Sequence, residues 1–200
     1  PSASAQNGAV LAQQPVLQLL DANDNPVLQA GIDIDAAIQS SAVQLGGTTP
    51  VTTDAAGQAA FTDLFLLGAT GSYPIRFTSG SLTAATSSSV AVTAGAAVAI
   101  AINGGNGQSA TAGSSVAVAP VVKVTDVSGN AVSGVGVTFA VTFGGGSATG
   151  LSATTNGSGI ATVGSWTLGT AAGNNLLSAT SAGLAGSPVS FTATGTAGAA

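Results

Sequence analysis

The sequence predicts an all-β chain made of two tandem antiparallel β-sandwich domains, residues 1–94 and 95–200. Three observations carry that expectation. Apolar residues alternate with small or polar ones at a period of two, which puts every second side chain of an extended strand on one face. Turn-forming clusters recur about every 10 residues, the rhythm of short strands in a sandwich. The chain also repeats itself: Pro15, Val16, Asp21, Asn25, Val27 and Gly31 fall on Pro120, Val121, Asp126, Asn130, Val132 and Gly136 at a constant spacing of 105. Small changes of spacing farther on, as when Thr52, Thr53 and Gly57 meet Thr154, Thr155 and Gly159, are loop insertions between fixed strands.

In domain 1 the opening segment, residues 1–14, is strongly apolar only at Val10 and Leu11. DANDNP at residues 21–26 marks a turn, because Asp and Asn side chains bond the backbone just ahead of them. Residues 32–39 then alternate: Ile32, Ile34, Ala36 and Ile38 inward, Asp33, Asp35, Ala37 and Gln39 outward. Residues 93–96 form a linker too short to let the domains tumble far apart. Domain 2 opens on an apolar strand at residues 97–102, with Val98, Ile100 and Ile102. Domain 1 has no counterpart, since aligning Gly8 with Gly113 leaves only PSASAQN ahead of it. Domain 1 is therefore expected to lack its first strand, leaving an uncovered edge. Further strands are expected at residues 116–118, 121–125, 160–168, 176–180 and 189–194, and at 135–143, where Val135, Val137, Phe139, Val141 and Phe143 share the inward side. DVSGN at 126–130, GGG at 144–146 and NGSG at 156–159 punctuate them.

Composition narrows function. Seven acids, all Asp, face two cations, Arg76 and Lys123, and the chain has no His, Cys or Met. Acid–base catalysis, thiol chemistry and imidazole metal sites lose their usual reagents. No enzyme is expected. With a net charge of −5 there is no basic footprint for nucleic acid. Charged residues make up 4% of the chain against about 25% in ordinary soluble domains, so little charge keeps copies apart. No run reaches the ~20 apolar residues of a membrane span, and the 45% hydrophobic content argues against disorder. Without cysteine there is no disulfide, and a start at Pro1 suits processing after export or a fragment, the former being the expectation.

Domain 2 contains Gly107-Gln108-Ser109, V-K-V-T-D-V-S-G-N-A-V from Val122 to Val132, and G-V-G-V-T-F from Gly134 to Phe139. Gly144 to Gly146, Thr154-Thr155, Gly159 and W-T-L-G-T-A-A-G-N-N from Trp166 to Asn175 follow. This series resembles the group 1 bacterial immunoglobulin-like domains of invasin and intimin. Residues 15–93 look like a more divergent copy, keeping Asp21, Asn25, Val27, Gly57, Leu67 and Gly68, with a Leu or Phe near Phe65 in place of the tryptophan. The resemblance implies a cell-surface or secreted bacterial spacer or adhesive module without catalysis or cofactor.

Asp21, Asn23, Asp24 and Asn25 offer oxygen ligands for calcium, with Asp21 and Asp24 the charged pair, but these residues are ordinary turn formers and no metal is expected. Asp33 and Asp35 are expected to be solvated, and the glycine clusters to be turns lacking the lysine of a phosphate loop. Asn156 heads the one glycosylation sequon. Trp166, Phe139, Val137, Ile32 and Ile34 are expected core residues. The favoured reading is an extracellular or cell-surface structural subunit that self-assembles into a filament by strand complementation, with Val10 and Leu11, or Val98, Ile100 and Ile102, as the exchanged segment. The alternative is a stalk or adhesive fragment of a surface adhesin, meeting a host or cell surface. Partners are thus other copies or a surface, with no nucleic acid and no transmembrane segment.

Overall fold

The computed structural model describes residues 1–199. The chain divides into two compact units, Pro1–Gly95 and Ala96–Ala200. The described residues form strands and turns without a helix, so no helix is long and apolar enough to cross a membrane.

Unit 1 contains β1 (Ser4–Gln6), β2 (Val16–Gln18), β3 (Asp33–Ile38), β4 (Val43–Gly46), β5 (Val51–Thr52), β6 (Gln58–Ala60), β7 (Phe65–Gly68), β8 (Gly71–Tyr73), β9 (Ile75–Thr78), β10 (Ala85–Thr86) and β11 (Val90–Thr93). They pair in the orders β1-β11-β8, β10-β9-β3-β5, β2-β6 and β4-β7. Strand β3 buries Ile34 and Ala36 while Asp33, Asp35 and Ala37 face water, the pleat its alternation requires. Ile34, Phe61, Leu64, Leu66, Ile75 and Phe77 dominate the core, and Ile32 packs against it half-buried. The rings of Phe61 and Phe77 meet at 5.4 Å, tilted by 47°.

Unit 2 contains β12 (Ala99–Gly104), β13 (Gln108–Thr111), β14 (Val121–Thr125), β15 (Gly136–Phe143), β16 (Ser147–Thr149), β17 (Ser152–Thr154), β18 (Ile160–Thr162), β19 (Ser165–Thr167), β20 (Gly173–Thr180) and β21 (Val189–Thr196). A three-stranded sheet, β12-β14-β18, and a five-stranded sheet, β13-β21-β20-β15-β17, enclose the core, and β16-β19 forms a separate pair. Val122 and Val124 come from the first sheet, Val137, Phe139, Leu177 and Phe191 from the second, and Trp166 is fully buried with them. The indole Nε1–H has no acceptor among the described residues.

The units share hydrogen-bonded details that fix their equivalence. Asp21 N–H donates to Asn25 O as Asp126 N–H does to Asn130 O, and Thr53 Oγ1 accepts from Ile32 N–H as Thr155 Oγ1 accepts from Val135 N–H. Those last bonds correct the alignment made from the sequence: Gly31 N–H donates to Thr53 O and Gly134 N–H to Thr155 O, so Gly31 answers to Gly134, not Gly136. Unit 1 carries two extra residues between Val27 and Gly31. Leu64 stands where unit 2 has Trp166, since Leu11 N–H reaches Leu64 O as Val116 N–H reaches Trp166 O.

Three strand expectations fail for identifiable reasons. Phe143, expected inward, is 59% exposed, because a register shift between Val141 and Phe143 breaks the alternation. Residues 160–168 are not one strand but β18, paired with β14, and β19, paired with β16; the chain changes sheets at Val163 and Gly164. Residues 116–118 form no strand: Val116 is buried and Val118 exposed.

Gly159 has φ +72°, and a Cβ there would lie 2.6 Å from Val124 O, whereas a Cβ on Gly157 would meet nothing within 4 Å. Gly159→Ala is expected to destabilise unit 2 by about 1–3 kcal/mol. Gly157→Ala should stay within about 0.5 kcal/mol of the parent. Urea titration followed by the emission of Trp166, the chain's single tryptophan, reads unit 2 alone and checks both values.

Candidate functional site

The two units differ most at one sheet edge. In unit 2, β12 runs antiparallel to β14, with Ile100 opposite Val124 and Ile102 opposite Val122. Its other side is held by Ile100 N–H donating to Ala185 O and by Ala185 N–H donating to Val98 O. Ile100 is buried among Val122, Val124, Val137 and Ala179. In unit 1, β2 takes the place of β14 and pairs with β6 only. No strand among the described residues covers its second edge.

A groove of about 540 Å³ lies along that edge. Leu17 and Leu19 line one wall, Leu82 and Thr83 the other, and Ile34 and Phe77 are also in the lining. Leu82 N–H donates to Ser79 O as Leu184 N–H does to Ser181 O, so Leu82-Thr83 is the counterpart of the Leu184-Ala185 wall that clasps β12. Leu20 and Leu82 are each 53% exposed at this groove, large apolar side chains that a seated strand would cover. Among the described residues no strand occupies this groove.

The segments expected to be exchanged between subunits lie elsewhere. Leu11 is buried in its own unit, its N–H bonded to Leu64 O, while Val10 is exposed and bridges Phe65. Ile100 fills its own unit's core, with Val98 and Ile102 partly exposed beside it. Neither segment is free in this chain.

Comparison with solved structures places this architecture. FdeC, an Escherichia coli adhesin, superposes with a TM-score of 0.52 at 21% identity over 92% of this chain. Both units have the immunoglobulin-like fold of that bacterial adhesin. The chain spans only 58% of the FdeC structure's length. InvD of Yersinia pseudotuberculosis gives a TM-score of 0.47 at 21% identity, over 92% of this chain and 52% of its own. The D00-D0 domain of intimin gives 0.45 at 17% identity, over 98% of each chain. A family model for the Ig-like domain 6 of SMCHD1 matches residues 3–95, the first Ig-like unit. No curated protein sequence matches the chain.

The Asp-rich turns of both Ig-like units are built alike. Asp21 Oδ1 accepts from the backbone N–H of Asn23 and Asn25, and the Asn25 amide bonds both carboxylate oxygens. Asp126 Oδ1 accepts likewise from Ser128 and Asn130. Asp24 sits at φ +61° in the turn, where Gly129 sits at +82° in unit 2, so it is a turn residue with an acid's side chain. No group of three or more metal-ligating His, Cys, Asp or Glu side chains occurs among the described residues. Asp33 and Asp35 are exposed on β3. Asn156 repeats the Asp turn motif with an amide, its Oδ1 accepting from Ser158 and Ile160, and its residue is exposed.

The side-chain amide of Asn25, then its backbone N–H and that of Asn23, hold the Asp21 carboxyl below the usual aspartate range. The backbone N–H of Thr48, then its hydroxyl, do the same for Asp63. A lowered folded-state pKa stabilises the fold at pH values above the unfolded-state pKa, and that contribution disappears as pH falls through the folded value. Unit 1 should therefore lose stability on acidification below about pH 4. The double variant Asp21→Asn, Asp63→Asn should show a flatter melting profile between neutral pH and that region, measured by calorimetry. Because these carboxylates are engaged by turn amides, EDTA should leave the melting temperature of the parent unchanged at neutral pH, a point the same calorimeter settles.

Proposed function

We propose that the chain is a structural segment of a bacterial extracellular or cell-surface protein, a spacer of Ig-like modules in an adhesin-like stalk, with no catalytic role. The observation that carries this reading is the use made of the polar interior. Asn7, Thr53, Asp126, Thr155 and Asn175 are buried, and each bonds backbone: Asn7 accepts from Gly68 N–H, Asn175 from Gly169 N–H, Thr53 and Thr155 from the N–H of Ile32 and Val135, and Asp126 from its own turn. Buried polar groups that stabilise loops leave no reactive cluster for chemistry. The fold likeness to an adhesin and the 4% charge support the same reading.

A second, finer reading is a subunit of a filament joined by strand complementation. The open edge of β2 favours it, because an uncovered edge is a template for pairing with another chain. It demands a donor strand from another copy, although β12 is held in its own unit by β14 and Ala185.

Sedimentation and negative-stain electron microscopy of the purified chain over a rising concentration series separate the two. Monomers throughout are the expected result, and regular filaments would establish the second reading. Saturable binding of a glycan or a host-cell surface to the purified chain would overturn the purely structural role.

A further inference from the structure

We propose that Asn156 is a site of covalent self-modification: its side-chain amide is lost to attack by the backbone nitrogen of Gly157 and a carboxylate takes its place, with water as the only co-reactant. The reaction concerns one turn of unit 2 and is independent of the structural role above.

Asparagine followed by glycine is open to this chemistry because a residue without a Cβ leaves its own backbone nitrogen uncovered. Four such pairs occur: Asn7-Gly8, Asn103-Gly104, Asn106-Gly107 and Asn156-Gly157. The fold restrains three of them. Gly8 N–H donates to Leu66 O at 2.7 Å, and Asn7 is buried. Gly107 N–H donates to Thr192 O at 2.9 Å, while Asn106 Oδ1 accepts from Thr192 N–H at 2.8 Å. Asn103 and Gly104 belong to β12, with Gly104 opposite Val121. Gly157 differs from all three: it is exposed, lies outside the strands, and its N–H meets no acceptor among the described residues. Attack by this nitrogen therefore breaks no hydrogen bond of the fold.

The same turn prepares the electrophile. Asn156 Oδ1 accepts from Ser158 N–H at 2.9 Å and from Ile160 N–H at 3.1 Å, so the side chain is folded back along the Gly157 peptide. Those two donors face the oxygen that turns negative as the Gly157 nitrogen adds to Cγ. The nitrogen–Cγ bond forms, the Gly157 proton passes to water, and the Cγ–Nδ2 bond breaks with release of ammonia, closing a cyclic imide. Water then opens the imide, at the side-chain carbonyl to leave aspartate or at the main-chain carbonyl to leave isoaspartate. In sum, one water is consumed and one ammonia released.

Unit 1 carries the aspartate form of this turn. Asp54 stands at the repeat position of Asn156, and its Oδ1 accepts from Ala56 and Gln58 N–H as Asn156 Oδ1 accepts from Ser158 and Ile160 N–H. Asp54 N–H donates to Gln58 O and Gly57 N–H to Asp54 O, as Asn156 N–H does to Ile160 O and Gly159 N–H to Asn156 O. Ala55 takes the place of Gly157, so unit 1 holds the carboxylate without the reactive pair. Lys123 and Asp126 are the charged side chains of residues 96–200, and a carboxylate gained at residue 156 changes the charge of unit 2 by as much as either.

The test is incubation of the purified full chain in mildly alkaline buffer, followed by trypsin cleavage at Arg76 and Lys123 and mass spectrometry of the fragments 1–76, 77–123 and 124–200. Conversion is expected in fragment 124–200, located at residue 156 by fragmentation and at least about tenfold faster than at Asn7, Asn103 or Asn106. Gly157→Ala should slow it at least about tenfold. That variant should keep the parent's urea midpoint by Trp166 emission, since a Cβ there meets nothing within 4 Å. Asn156→Asp should also unfold near the parent midpoint and comigrate with the aged chain on isoelectric focusing. Equal rates at the four pairs, faster loss at any other asparagine, or an unslowed Gly157→Ala variant would overturn the proposal. None of these results touches the structural role, which falls instead on glycan or host-surface binding.

Discussion

A strand with an apolar face is stable only when that face is covered and its backbone groups are paired or solvated, and this requirement organises the whole molecule. With charged residues so scarce, ion pairs contribute little, and the fold rests on backbone pairing around a core of aliphatic and aromatic side chains. Unit 2 meets the requirement by placing β12 on the edge of β14. In unit 1, β2 pairs with β6 alone. The parallel pairing of β1 with β11, Ser4 opposite Ala91, shows that the opening segment of unit 1 is fully engaged in closing another part of the sandwich.

The polar groups tell a complementary story. Thr53 and Thr155 each hold the segment that leads into β3 or β15, accepting from Ile32 or Val135 and donating to the carbonyl of Gln29 or Val132. Asn7, in the turn after β1, and Asn175, on β20, make the same kind of bond, accepting from the N–H of Gly68 and of Gly169. Chemistry of this kind fixes corners and loop entries.

Much of this was legible in the sequence because the governing interactions are local. The Asp turns are read from the residues that make them, and the alternation of β3 from the pleat. What escaped depends on contacts between distant segments. Phe143 continues an inward pattern in the sequence, but the ladder to β20 shifts at that point and turns it outward. The break of residues 160–168 into two strands reflects competition between β14 and β16 for pairing, which no local pattern announces. Gly31 was matched to the wrong glycine because Gly134 and Gly136 lie two apart, and only the bond to Thr155 O distinguishes them. The groove beside β2, and the engagement of Leu11 and Ile100 in their own units, required the fold.

One cross-strand pair carries a consequence for how the two repeats fold beside each other. In unit 1, Ala36 on β3 opposes Phe77 on β9, while in unit 2, Phe139 on β15 opposes Ala179 on β20. The large and small partners have changed sides. A nascent chain that mispaired β3 with β20 would set alanine against alanine and leave a void, and pairing β15 with β9 would crowd two phenylalanines into space for one. Adjacent repeats of the same fold are exposed to such cross-repeat misassembly during synthesis. The exchanged sizes make each native pairing better packed than the cross-repeat one.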